Sequence, residues 1–174
     1  MNPEIIIPVR LDAKTFKRFS RFDMFALRKR WVRPVVFALI LIAFAVIALL
    51  SRKAQAGMIA AVLLAVGLGL PLVYFGTFLS QVNLQAERLK PPRRVYTVTL
   101  DFDGIRVVND QKKEDAQSVR WQDAKAAFRK KGCIYLYVSP VRAFLLPDGQ
   151  ANVPDAQVWA YLTQRMPDKC HGGK

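Results

Sequence analysis

The sequence is short of the side chains from which catalytic and metal sites are most often built. It contains one histidine, His171, and two cysteines, Cys133 and Cys170, which form no CxxC pair. A single histidine leaves few ways to pair a nucleophile with a base or to complete a zinc site. The glycine motifs that hold nucleotide phosphates are missing as well. We therefore expect no catalytic, cofactor-binding or metal-binding residues, and no enzyme.

Acidic residues are also scarce. The chain of 174 residues has 13 Asp and Glu against 27 Lys and Arg, a net charge of +14, and yet 52% of it is hydrophobic. Soluble basic proteins rarely combine these two properties. The apolar residues are concentrated in one block, and the charges lie almost wholly outside it. Because the charges after residue 80 are mixed in sign and no recognition motif occurs there, we do not expect nucleic acid as a partner.

Charge is absent altogether from residues 34–50 and 58–79, which predict a two-helix transmembrane hairpin over residues 34–80. The first run makes roughly 26 Å of helix at about 1.5 Å per residue. Trp31 and Val32 can lengthen it towards a hydrocarbon core of about 30 Å, and the long side chain of Arg33 can reach the membrane interface. Arg52 and Lys53 would each cost about 2.5 to 3.5 kcal/mol at the bilayer centre, so the chain turns there. Spans without charge give no sign of an ion pathway or transport site.

The cations near the spans predict the orientation. Residues 15–33 contain seven Lys and Arg, residues 81–99 contain four, and the connecting loop contains two. The positive-inside rule therefore places both termini in the cytoplasm. Small residues recur every four positions in the second span and predict its packing seam against the first. They are Gly57, Ala61, Ala65 and Gly69.

Residues 1–33 predict a strand over Glu4–Leu11, a cap at Asp12 and a basic amphipathic helix with phenylalanine at every third position from Phe16 to Phe25. This composition is typical of a helix that lies on anionic lipid. The alternative is that the phenylalanines pack on the C-terminal domain and the cations only set the topology. The candidate lipid contacts here are Lys17, Arg18, Arg21, Arg28, Lys29 and Arg30.

The part after the hairpin predicts a polar, helical stalk over residues 81–94, broken by Pro91 and Pro92, and a small domain over residues 95–167. Its short strands are expected at residues 95–100, 105–108, 118–121, 125–128, 133–138 and 142–146, and a helix from about Pro154 to Met166. We expect a small α+β domain, an antiparallel, pleckstrin-homology-like curved sheet capped by the C-terminal helix. Residues 168–174 are expected to be a disordered tail.

Several polar and aromatic residues of this domain have competing interpretations. Asp101, Asp103, Asp110, Glu114 and Asp115 cluster near predicted turns, where acids normally cap and solvate hairpins. Arg129, Lys130 and Lys131 could contact anionic lipid or form a solvated turn. Trp121 is expected in the core rather than as a stacking platform. The strand at residues 133–138 has Tyr135 and Tyr137 on one face. One of its two faces is expected to lie in the core and the other to be partly exposed.

Four segments after the two spans carry a family resemblance. They are Leu100-Asp101-Phe102-Asp103-Gly104-Ile105, Val119-Arg120-Trp121-Gln122-Asp123-Ala124, Ile134-Tyr135-Leu136-Tyr137 and Phe144-Leu145-Leu146-Pro147. The arrangement resembles the YcxB-like family of bacterial membrane proteins over nearly the whole chain. The resemblance implies a pleckstrin-homology-like cytoplasmic domain on a hairpin in the bacterial inner membrane.

Two functions from different classes follow from these features. In the first, the protein is a membrane-anchored, non-catalytic interaction or regulatory module that binds a protein partner or anionic lipid headgroups. In the second, it is a self-protection, immunity or envelope-stress protein that acts through its transmembrane hairpin. The bilayer is a partner in both.

Overall fold

The computed structural model describes residues 4–51, 53–110 and 116–172. Arg52, Glu114 and Asp115, for which the sequence predicts turns, lie outside the described residues. The chain divides into two compact units, Lys17–Arg88 and Met1–Phe16 with Leu89–Lys174. The predicted N-terminal domain over residues 1–33 is therefore shared between the two units.

The unit Lys17–Arg88, called the hairpin unit below, contains two long helices, α2 (Val32–Leu50) and α3 (Ala56–Glu87). They follow helix α1 (Ala13–Arg21), whose first four residues belong to the other unit, and a π-helical turn, Phe22–Leu27. Both long helices are apolar enough to cross a membrane. Their large apolar side chains are mostly exposed, as in Leu50 and Leu72. The two predicted helices are thus present, but α3 continues to Glu87, so half of the predicted stalk is helix.

The contact between α2 and α3 uses a different face of α3 from the predicted one. Ala38 and Ala45 of α2 are buried, as are Ala56, Ala60 and Gly67 of α3. A Cβ atom added to Gly67 would lie 3.1 Å from the Cβ of Leu41 and 3.6 Å from the carbonyl oxygen of Ala38. The absence of a side chain at Gly67 therefore allows close packing of α3 against α2 at this point.

The predicted seam needs correction. Gly57, Ala61 and Ala65 are exposed and Gly69 is half-buried, and a Cβ on Gly57 or Gly69 would meet nothing within 4 Å. The reason is helical geometry. Each residue turns the side-chain direction by about 100° in a helix of 3.6 residues per turn, and Gly57 and Ala61 each lie one residue after the buried Ala56 and Ala60. The predicted stripe therefore begins about 100° away from the observed seam and drifts further from it, by about 40°, at each four-residue step.

The other unit, called the β-rich unit below, contains two four-stranded sheets and a C-terminal helix. The first sheet has the order β1 (Ile5–Leu11), β2 (Arg93–Leu100), β3 (Gly104–Asn109) and β4 (Gln117–Arg120), all antiparallel. The second has the order β7 (Ala143–Pro147), β6 (Cys133–Tyr137), β5 (Ala126–Lys130) and β8 (Cys170–His171). Helix α4 (Asp155–Arg165) follows β7. All six predicted strands of the domain and its helix are present.

Strand β1 joins this unit by pairing with β2, from Ile5 opposite Leu100 to Leu11 opposite Arg93. Its alternate residues are buried, as expected for a strand with one face on a core. Side chains cover its outer edge. The amide of Asn152 accepts from the N–H of Ile6 at 3.0 Å, and that of Gln150 accepts from the N–H of Arg10 at 2.6 Å. A free strand edge is thereby closed against pairing with other chains.

One tyrosine connects the two sheets. The hydroxyl of Tyr96 on β2 donates to the carbonyl oxygen of Leu145 on β7 at 3.1 Å and accepts from the N–H of the same residue at 2.8 Å. Its ring packs edge-on against Phe144. Burial raises the pKa of Tyr96, so the hydroxyl stays protonated and can donate.

Two expectations about the domain are wrong. Every residue of β6 is buried, so neither face of that strand is exposed. The described residues 168–172 are also not a disordered tail. The Lys169 ammonium donates to the carbonyl oxygens of Gln122 and Ala124 at 2.9 and 2.8 Å, and β8 pairs in parallel with β5.

Trp121 is half-buried rather than enclosed in the core. Its indole N–H donates to the carbonyl oxygen of Asp101 at 3.1 Å, and its ring packs edge-on against Tyr161 of α4. Nearby, Gly104 opens β3 where a Cβ would lie 2.3 Å from the carbonyl oxygen of Val119. The Asp-Gly turn therefore needs glycine because β4 passes so close.

Candidate functional site

Basic residues of the hairpin unit surround one cavity of about 480 Å³. Its lining consists of Arg28, Lys29, Arg30, Arg33, Pro34 and Tyr74. The sequence predicts the first three as lipid contacts and Arg33 only as a residue that reaches the membrane interface. Tyr74 belongs to α3, and no sequence pattern predicted that it would line this cavity.

An unusual backbone turn brings the cations together. The π-helical turn ends with hydrogen bonds from the N–H of Arg28 to the carbonyl oxygen of Asp23, at 2.9 Å, and from the N–H of Arg30 to that of Met24, at 3.1 Å. Between them Lys29 has a φ of 47°, in the left-handed region. Residues other than glycine rarely adopt this conformation. Three consecutive cations are thus held directly before α2.

Aromatic residues fix this turn against the helices. The indole N–H of Trp31 donates to the carbonyl oxygen of Phe25 at 3.2 Å. The ring of Phe25 stacks on Phe75 of α3, with centroids 6.3 Å apart and planes within 6°. Tyr74, the residue before Phe75 on α3, lines the cavity beside the basic turn. Phe25 thus packs on α3 and keeps 45% of its side chain exposed.

The electrostatics of the cavity favour an anion. Asp23 pairs with Arg28 at 3.0 Å, and both side chains are mostly buried. Lys29, Arg30 and Arg33 are exposed. No carboxylate is among the described residues that line the cavity. The first turn of α2 contains no acidic residue either, so the partial positive charge at that helix end adds to the field of the side chains.

The remaining predicted cations lie elsewhere. Lys17, Arg18 and Arg21 belong to α1 and do not line the cavity. Arg129, Lys130 and Lys131 belong to the other unit, where Lys131 and Gly132 form the tight turn between β5 and β6 with positive φ angles. Of the three predicted basic groups, only Arg28, Lys29 and Arg30 are among the described residues that line the cavity.

Arg129 has a partner of its own. Its guanidinium lies 3.9 Å from the carboxylate of Asp148, and both side chains are about 30% exposed. Burial raises the pKa of Asp148, the nearby Asp155 raises it further, and Arg129 lowers it. An acid thus compensates part of the charge of Arg129, as Asp23 does for Arg28.

The β-rich unit has a smaller groove of about 210 Å³ between its sheets. Arg142 is the one cation in its described lining; this guanidinium donates to the Gln117 side chain and lies 5.9 Å from the centre of the Phe144 ring. Burial raises the pKa of the Cys133 thiol to about 12, which keeps it protonated and unreactive at neutral pH. Within the described ranges, no group of three or more His, Cys, Asp or Glu could hold a metal ion.

No family model, curated protein or solved structure matches this chain. The resemblance to the YcxB-like family therefore stays a prediction.

Proposed function

We propose that this protein is a membrane-anchored, non-catalytic interaction module whose basic cavity binds the phosphate groups of anionic lipids. The single observation that carries the proposal is the convergence of four cations and Tyr74 around one cavity in an apolar helix pair. Basic pockets between membrane helices are a general means of binding lipid headgroups.

Helix length supports the depth at which this site would lie. The stretch of α3 from Ala56 to Tyr74 is nineteen residues long, the same length as α2. Nineteen residues make about 28 Å of helix. That matches a hydrocarbon core of about 30 Å. If Ser51 and Ala56, at the facing ends of α2 and α3, lie at one membrane surface, Arg33 and Tyr74 reach the other, at the level of the lipid phosphates.

The connection of the strands supports two crossings. Leu11 at the end of β1 lies opposite Arg93 at the start of β2, although the whole hairpin separates them in sequence. Only an even number of crossings returns the chain to the side it left, as this pairing requires. Together with the positive-inside bias, this favours two spans with both termini in the cytoplasm.

The β-rich unit would be the cytoplasmic part of the protein. We propose a pleckstrin-homology-like fold for it, of the kind that the YcxB-like resemblance implies, in a bacterial inner membrane. The support is two sheets, antiparallel except for the short β5–β8 pair, that are connected through Tyr96 and followed by a C-terminal helix. In this proposal the hairpin anchors the chain in the bilayer, and the β-rich unit can bind protein partners.

Fluorescence quenching tests the lipid site in the full-length protein. In a background with Trp121→Phe and Trp159→Phe, the remaining Trp31 adjoins the basic turn. Brominated anionic lipid should quench it more than brominated zwitterionic lipid at the same mole fraction. High salt should weaken this preference because the cations are exposed.

The double variant Arg30→Gln with Arg33→Gln should remove most of the preference for anionic lipid. Lys53→Gln is a control because Lys53 is also exposed but precedes α3 at the opposite end of the hairpin. Equal quenching by the two lipids in the parent protein would refute the proposal, as would equal losses in the double variant and the control.

A further inference from the structure

We propose that the basic cavity selects lipid headgroups that carry two phosphate groups over headgroups that carry one. This inference rests on the proposed function and adds the class of ligand. It follows from the charge, the size and the apolar surroundings of the cavity.

The charge of the cavity exceeds that of a single phosphodiester. Arg28 is paired with Asp23 at 3.0 Å, which leaves Lys29, Arg30 and Arg33 as the exposed cations of the lining. One phosphodiester carries one negative charge and would leave most of this charge uncompensated. Two phosphates offer more acceptor oxygens and nearly match it. Guanidinium groups bind such oxygens in pairs of parallel hydrogen bonds.

The size of the cavity leads to the same class of ligand. A volume of about 480 Å³ falls within the roughly 300 to 1,000 Å³ of sites that enclose a whole small molecule. A lone phosphate group would leave much of it empty. The donors also come from two sides, because Arg30 and Arg33 flank the start of α2 whereas the Tyr74 hydroxyl comes from α3. Two separated phosphates can use both sets.

The surroundings favour a lipid over a soluble diphosphate. Val36 and Phe37 follow the site along α2 and are 47% and 45% exposed, and Val73 beside Tyr74 is 64% exposed. Acyl chains attached to a bound headgroup can lie against these side chains, whereas a soluble diphosphate would leave them uncovered. The apolar contact adds binding free energy in proportion to the area that it buries.

Native mass spectrometry of the full-length protein in detergent tests this selectivity. Dilysocardiolipin has two phosphodiesters and two acyl chains, and phosphatidylglycerol has one phosphodiester and two acyl chains. The comparison therefore varies the phosphates while the number of chains stays the same. We expect dilysocardiolipin to bind at least about ten-fold more tightly, because it pairs with more of the charged donors. Inorganic pyrophosphate, as the soluble probe, should bind much more weakly than either lipid.

Variants separate the inference from the function on which it rests. Arg30→Gln with Arg33→Gln should abolish the preference for two phosphates, and Lys53→Gln should preserve it. Tyr74→Phe keeps every charge of the site and should lower the affinity for dilysocardiolipin more than that for phosphatidylglycerol. This variant needs no change in the charged turn, so a folding defect there cannot imitate its effect.

The possible results are distinguishable. Equal affinities for the two lipids, both lost in the double arginine variant, would overturn the two-phosphate inference and leave the proposed function standing. Pyrophosphate that binds as tightly as dilysocardiolipin would overturn the choice of a lipid as ligand. No difference between anionic and zwitterionic lipids in any variant would refute the proposed function itself.

Discussion

At the scale of single residues, the basic site depends on a strained lysine. Lys29 adopts a φ of 47° between two backbone hydrogen bonds that close the turn before α2. A left-handed conformation costs an ordinary residue roughly 1 to 2 kcal/mol relative to its right-handed one. The hydrogen bonds of Arg28 and Arg30 and the Phe25–Phe75 stack maintain it. Strain that persists in this way often occurs at functional sites.

Substitutions of Lys29 test this account of the turn. Lys29→Gly should stabilise the hairpin by up to about 1 kcal/mol because glycine adopts positive φ freely. Lys29→Val should destabilise it by about 1 kcal/mol or more, since a β-branched residue tolerates this conformation poorly. Both changes remove the same charge, so their difference reports on the backbone. Unfolding of the detergent-solubilised protein, followed by circular dichroism, measures it. A valine variant as stable as the glycine variant would contradict the left-handed turn.

At the scale of elements, the helix pair depends on Gly67. Its Cβ position lies 3.1 Å from the Cβ of Leu41, so Gly67→Leu should push the helices apart and cost about 1 to 3 kcal/mol, the usual penalty of overpacking. Gly69→Leu is the matched control, because the same position on Gly69 meets open space. Unfolding in mixed micelles should separate the two variants. Equal destabilisation by both would mean that the seam predicted from four-residue spacing is used after all.

The elements themselves were largely predictable, because each depends on local patterns. Residues without charge between 34 and 50 require a helix in a membrane, and alternation around Val98 and Leu100 with Asp103-Gly104 after it predicts a hairpin. Features that depend on distant residues were not predictable. β1 pairs with β2 across the whole hairpin, Asn152 closes the outer edge of β1, and β8 is only two residues long.

The candidate site shows the same division. Arg28, Lys29 and Arg30 were predicted because they are adjacent in sequence and precede an apolar run. Their grouping with Tyr74 depends on how α3 packs beside α2, which the sequence pattern placed on the wrong face of α3. The basic run at Arg129 was predicted with equal reason, and the structure gives it an acidic neighbour, Asp148. The composition could not distinguish the two runs because it contains no information on tertiary partners.

At the scale of the whole molecule, the hairpin is an insertion between two paired strands. The chain leaves the β-rich unit after Leu11 and returns at Arg93, opposite the point of departure. Two chain connections rather than one therefore join the unit Lys17–Arg88 to the β-rich unit.

The contact between arginine and lipid phosphorus tests this account most directly. Solid-state NMR of the full-length protein, with ¹³C- and ¹⁵N-labelled arginine in anionic bilayers, detects guanidinium groups close to ³¹P nuclei. We expect strong dipolar coupling to ³¹P for Arg30 and Arg33, because charge-assisted hydrogen bonds bring nitrogen and oxygen to about 2.7–2.9 Å. The coupled signals should disappear in Arg30→Gln and Arg33→Gln. Absence of ³¹P coupling at both arginines, in bilayers where other arginines show it, would contradict the account.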